Sequence, residues 1–117
     1  MARVFFGFAL ADSMFAGLQN GAGIRRYIRT PEEVRELVKG GVESCINPSH
    51  MATIVAMKER FGINIQIPLT PPRVSLDRGD CVVVMGVCGL PRLTDRHEYT
   101  AEEIASANFS FSVYEVE

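Results

Sequence analysis

The sequence predicts a single small α/β domain: a mixed (α+β) sheet of about five strands flanked by a few helices. Three observations predict it. Short apolar or alternating runs bounded by Gly, Pro and Asn recur along the chain. Between them lie segments that open on a helix cap and continue with apolar residues at helical spacing. The 117 residues, 47% of them apolar, suffice for one hydrophobic core and fall short of two ordinary domains, so residues 1–117 form one unit.

The first strand is expected within residues 2–10, where Val4, Phe5, Phe6, Phe8 and Leu10 cluster. A short apolar turn or helix follows over 11–21 and ends in the flexible run 19–23. Residues 24–28 suit a second strand. Thr30, Pro31 and Glu33 supply an N-cap, a first-turn proline and a capping-box glutamate for a helix that carries Val34, Leu37 and Val38 and stops at Gly40 and Gly41. Residues 42–46 are a connection. Asn47 and Pro48 repeat the cap-plus-proline signal for a middle helix that ends near Gly62, with Met51, Ile54, Val55 and Phe61 as its core contacts.

Ile63, Ile65 and Ile67 alternate as a third strand. Pro68, Pro71 and Pro72 mark an irregular crossing before an extended stretch over 73–76, and Gly79 with Asp80 makes a turn. The β-branched run 81–87 predicts a central strand covered on both faces. A loop spans 89–99. Thr100 and Glu103 cap a short last helix, and a closing strand places Phe109, Phe111 and Val113 on one face. No repeat or linker interrupts this order.

Net charge is −2 and charged residues are 22% of the chain, which gives no global attraction to duplex nucleic acid, an acidic partner or a membrane. Any anion site is therefore local. No apolar run reaches the roughly 18–20 residues of a membrane helix, so the expectation is a soluble protein. Cys45, Cys81 and Cys88 are odd in number and widely spaced in apolar surroundings, which suits buried free thiols and a cytoplasmic setting, that of the host cell if the protein is viral.

Chemistry is expected around His50. With Asn47 as cap, His50 falls in the first helical turn, among unpaired amides at the positive end of the helix. An anion binds well there, and its charge raises a histidine pKa that the helix end otherwise lowers, which suits a proton donor. The alternative is a histidine bonded into the helix start. Ser49 adjoins it, and Thr53 shares its helix face, either for a phosphate oxygen or bonded back to its own helix. Arg92 and Asp95 lie in the loop after the central strand, as a phosphate contact and a positioning carboxylate or as a solvated pair. Arg73 is a second phosphate contact, and Asp12 and Ser13 in the turn after the first strand are further ligand contacts. Arg25, Arg26 and Arg29 are expected to form one solvated strand face, and His97 to be exposed. Nucleotide-binding glycine motifs, a nucleophile elbow and metal-ligand spacing are all lacking, so neither cofactor nor metal is expected.

Taken in order, these features resemble the viral ring-nuclease family, small anti-CRISPR proteins of archaeal viruses and phages that degrade cyclic tetra-adenylate. The resemblance covers most of the chain. It rests on the opening strand and turn Val4 to Met14, the helix start Ser49-His50-Met51-Ala52-Thr53, Pro72-Arg73-Val74, Gly79-Asp80, Pro91-Arg92-Leu93 with Asp95, and Tyr114-Glu115-Val116. It implies a compact homodimer that holds a cyclic oligonucleotide across its two-fold axis and opens it without metal. By the same resemblance His50 is the general acid, Arg92 and Arg73 bind phosphates, and Asp95 assists. Phe8, Ser49, Ala52 and Asp95 stand where the family usually has asparagine, glycine, serine and glutamate. Those departures support a second reading, a protein that binds a cyclic nucleotide without cleaving it; a third is a structural interaction dimer whose polar loops contact another protein.

Overall fold

The computed structural model describes residues 3–18, 21–46, 51–69, 73–88 and 100–117. Five strands, β1 (Val4–Gly7), β2 (Ile24–Arg29), β3 (Glu43–Ser44), β4 (Cys81–Cys88) and β5 (Asn108–Val116), form one mixed sheet in the order β2-β5-β4-β1-β3. β1 is parallel to both β3 and β4, whereas β5 is antiparallel to β4 and β2. The predicted α/β class and strand number are observed. The run expected to be the covered central strand is indeed the middle one.

Register divides the core in two. Phe6, Val83, Met85, Phe111 and Val113 point to one face, where α1 (Pro31–Lys39), α2 (Met51–Phe61) and the segment after α2 bring Val34, Ile54, Met57, Ile63 and Ile65 against them. Phe5, Val82 and Val116 point to the other face and meet Val74 and Leu76, with Met14, Phe15 and Leu18 alongside. Burying each such aliphatic or aromatic side chain stabilises by about 1.5–3 kcal/mol, so both clusters matter to the fold. The closing strand carries Phe109, Phe111 and Val113 to the first face, as its alternation predicts.

The helix signals in the sequence work as local chemistry requires. Thr30 accepts from the Glu33 amide at 3.2 Å while the Glu33 carboxylate accepts from the Thr30 amide at 3.0 Å, and Thr100 and Glu103 repeat this box at α3 (Ala101–Ser106). These bonds hold the Glu33 carboxyl below the usual carboxylate range. Gly62, at φ +70°, ends α2 in the left-handed conformation that L side chains disfavour. The proposed cap of α2, Asn47 with Pro48, lies outside the described residues.

Five expectations are corrected. Residues 63–67 are not a strand: Ile63 and Ile65 are buried and Asn64 and Gln66 exposed, but a cleft separates this stretch from β3 and it joins no ladder. Alternating burial against a helix layer imitates strand patterning. The fifth strand is instead β3, within the expected connection, and it adds two residues beside β1. On α2, Met51 and Val55 are 56% and 47% exposed, so Ile54 and Met57 carry the core instead. Cys88 is exposed, while Cys45 and Cys81 are half-buried. Arg25 and Arg29 share the first face with Tyr27, whereas Arg26 lies on the second with Ile24 and Ile28, because side chains alternate along β2.

The β1–β4 entrance is closed by a buried carboxylate. Asp80, 1% exposed, accepts from the Arg3 amide at 2.9 Å, Arg3 Nη2 at 2.7 Å and the Asp77 amide at 2.8 Å. Burial pushes its pKa up, but Arg3 and the two amides outweigh that and hold the carboxyl below the usual aspartate range. Gly79, at φ +91°, makes the turn that presents Asp80.

Candidate functional site

Because β1, β3 and β4 are parallel neighbours, their carboxyl ends lie at one side of the sheet: Phe6 is level with Ser44 and Val83, and Gly7 with Val84. In open sheets with parallel strands, that side is where ligands bind, since the chain there turns out of the ladder and leaves a crevice. From β1 the chain runs into a 3-10 helix, Asp12–Phe15, that begins with two of the candidate residues, Asp12 and Ser13. From β3 it passes Cys45 and Ile46 toward the segment 47–50, and from β4 it enters segment 89–99. The candidates thus follow three strands that end side by side, although they are scattered through the sequence.

Asp12 and Ser13 are exposed in the 3-10 turn. The Met14 carbonyl in that turn accepts from the Leu76 amide at 2.8 Å, which fastens residues 73–76 across the second face. Arg73, also exposed, heads this fastened stretch, so the structure brings its segment to the Asp12–Ser13 turn. Thr53 is partly buried near the start of α2, between exposed Ala52 and buried Ile54. Phe8 packs against the first-face core, so its ring is occupied in packing and supplies no polar group. Ser49, His50, Arg92, Asp95 and His97 lie outside the described residues.

Cys45 is a poor nucleophile at this side of the sheet. Cys45 donates its backbone N–H to the Phe6 carbonyl at 2.8 Å just beyond β3. Burial, and then nearby Glu43, pushes its thiol pKa up, leaving it protonated at neutral pH. Burial does the same to Cys81 at the opposite end of β4. Among the described residues, no group of three or more His, Cys, Asp or Glu is arranged to hold a metal ion. None of their helices is long and apolar enough to cross a membrane.

A cleft of about 480 Å³ opens elsewhere, between the end of α1, β3 and residues 64–68. Sequence reading missed it, because it depends on residues 63–67 standing away from β3. Its one charged lining residue is Lys39, which pairs with Glu36 at 2.9 Å. With only serine, asparagine and glutamine as further polar side chains, the cleft offers no acid, base or nucleophile matched to bond cleavage.

No family model matches this chain, and no curated protein does. Its fold is similar to that of B116 of Sulfolobus turreted icosahedral virus (STIV), with a TM-score of 0.66 over 97% of this chain and 99% of that one, at 19% identity. At that identity, the likeness establishes the fold.

Proposed function

We propose, starting from a fold shared with a viral protein, that this chain is a viral, metal-independent ring nuclease acting on a cyclic oligoadenylate such as cyclic tetra-adenylate. By removing that second messenger it would silence type III CRISPR defence in the host cytoplasm. The observation that carries the reading is the shared side of β1, β3 and β4: Asp12 and Ser13 follow β1 in the 3-10 turn, and at that same side the chain leaves β3 on its way to Ser49 and His50 and leaves β4 on its way to Arg92 and Asp95. Arg73 approaches through the Leu76–Met14 bond.

In this mechanism a ribose 2′-hydroxyl attacks the adjacent phosphorus, and the bond from phosphorus to the 5′-oxygen breaks. His50 gives its proton to that leaving oxygen, and the 2′-hydroxyl proton passes to solvent. The products are a 2′,3′-cyclic phosphate and a 5′-hydroxyl. Arg92 and Arg73 bind the phosphates, Asp95 orients the reacting groups, and Ser13, Asp12, Ser49 and Thr53 contact the ligand. A homodimer doubles these groups around a two-fold axis and gives a nearly neutral chain enough local positive charge for a tetra-anion.

Incubation with cyclic tetra-adenylate in the presence of a chelator is expected to yield linear products that disappear with His50→Ala. Recovery of intact ring from the wild-type protein would overturn the reading. The second reading, binding without turnover, is favoured by Phe8 in the core and by Asp95, since a carboxylate one methylene short is displaced by about 1 Å, enough to cost about 100-fold in rate. Tight calorimetric binding with ligand recovered unchanged would select it.

A further inference from the structure

We infer that the open part of the second sheet face carries a separate anion site, built on Arg26 and shaped for a phosphate group. Beyond Val116, where Leu76 and the 3-10 turn no longer cover the sheet, Arg26 of β2 reaches across β5. Its Nε donates to the Tyr114 hydroxyl at 3.0 Å and its Nη2 to Ser112 Oγ at 3.0 Å. The guanidinium also sits 5.9 Å from the Tyr114 ring centroid. A long side chain that would otherwise sample many rotamers is thereby fixed on the sheet.

The nature of its partners distinguishes Arg26. Arg3, Arg25 and Arg29 pair with carboxylates, and Arg60 and Arg78 donate to backbone carbonyls. Among the described residues no carboxylate pairs with Arg26, and its two partners are neutral hydroxyls. A guanidinium has five N–H groups; two are engaged by these hydroxyls and three are left. Each hydroxyl accepts from Arg26 and so keeps its own proton to donate. Ser112 is 9% exposed, and its hydroxyl proton has no acceptor among the described residues. The result is a fixed cation ringed by donors whose complement, an oxyanion, is not supplied by the described part of the chain.

The donor arrangement selects the kind of anion. A planar carboxylate satisfies one guanidinium edge and leaves the hydroxyl protons unmatched, whereas a tetrahedral phosphate presents oxygens in several directions at once. Ile24 and Ile28, 45% and 64% exposed, flank Arg26 on the same face and provide an apolar border against which a nucleoside can rest. The ligand class is a phosphate group, either free or carried by a nucleotide. This site stands on β2 and β5 and does not depend on the nuclease reading.

The test is an NMR titration following the Arg26 Nε–H resonance, with inorganic phosphate, a diribonucleotide bearing one phosphodiester, and acetate as separate probes. Saturable shifts with phosphate or the diribonucleotide, and none with acetate at matched ionic strength, are expected; tighter binding of the diribonucleotide assigns the source to nucleotides, and equal or tighter binding of phosphate assigns it to the free ion. Arg26→Gln, followed through neighbouring β5 amides, should weaken binding at least tenfold. Tyr114→Phe keeps the ring and should weaken it about threefold to tenfold with the fold intact. The inference is overturned by linear, unsaturable shifts, by acetate binding as tightly as phosphate, or by Arg26→Gln binding like the wild type.

Discussion

The two faces of the sheet bury comparable side chains under very different covers. On the first face Phe6, Val83, Met85 and Phe111 lie beneath two helices, α1 closed by its Thr30–Glu33 capping box and α2 ended by Gly62. On the second face Phe5, Val82 and Val116 lie beneath a 3-10 turn and an extended stretch, 73–76, fastened by the Leu76–Met14 bond. The comparison teaches that cover need not be regular to be dry, since Leu76 is buried more fully than Ile54 and Ala56 of α2. Irregular cover leaves the rest of its face open, and that is where Ile28, Arg26 and Tyr114 meet solvent. The first face serves stability; the second divides its area between stability and recognition.

This contrast can be broken by substitution. Phe6→Ala removes a fully buried ring under the helices and should cost about 3–5 kcal/mol in denaturant unfolding. Leu76→Ala, under a cover that can settle inward, should cost about 2–3 kcal/mol. A cost at Leu76 equal to that at Phe6 would mean the irregular cover is as rigid as the helical one.

Next in size is the Asp80 latch. Asp80→Ala should cost about 2–3 kcal/mol, below the cost of breaking a fully buried pair because Arg3 remains 40% exposed and is rehydrated. The pH dependence has a definite sign. The folded carboxyl titrates below its unfolded value of about 3.9, so its contribution is present above that pH and is lost as pH falls through the folded value. Asp80→Asn should therefore flatten the acid limb of the stability curve, and an unchanged limb would assign acid sensitivity elsewhere.

Smaller effects test the edges of the contrast. Thr30→Ala breaks the α1 capping box and should lower stability by about 1 kcal/mol, seen as a modest fall in Tm. Ile28→Thr, on the open face, should change stability by no more than about 0.5 kcal/mol. A larger loss at Ile28 would show that something covers this face in solution.

How much of this was legible in the sequence follows the same division. The capped helices could be read because caps and 3.6-residue spacing are local signals, and β4 because only a strand buried on both faces tolerates such a β-branched run. Residues 63–67 misled, since their alternation reflects packing against the first-face core rather than pairing. β3 was missed because two residues carry no period. The second-face cover was read only as an extended stretch, because its role depends on contacts distant in sequence. At the candidate site, residue chemistry singles out Asp12, Ser13, Arg73 and Thr53, and the Leu76–Met14 bond, made between residues distant in sequence, relates the Arg73 segment to the Asp12–Ser13 turn. Reading Arg25, Arg26 and Arg29 as one solvated face overlooks the period-2 alternation of 24, 26 and 28 against 25, 27 and 29, which separates Arg26 from the other two.

The place of β5 in the sheet governs how the chain reaches its fold. β5 separates β2 from β4 and is, among the described residues, the only strand that pairs with β2, yet it is made last of the five. Ile24 finds its ladder partner in Val116, so β2 waits through most of the chain before its backbone groups are satisfied. Such long-range closure slows folding and exposes an unpaired strand to wrong neighbours while it waits. The arginines at 25, 26 and 29 act as gatekeepers in that interval, because mutual repulsion keeps two nascent copies of the strand from pairing with each other.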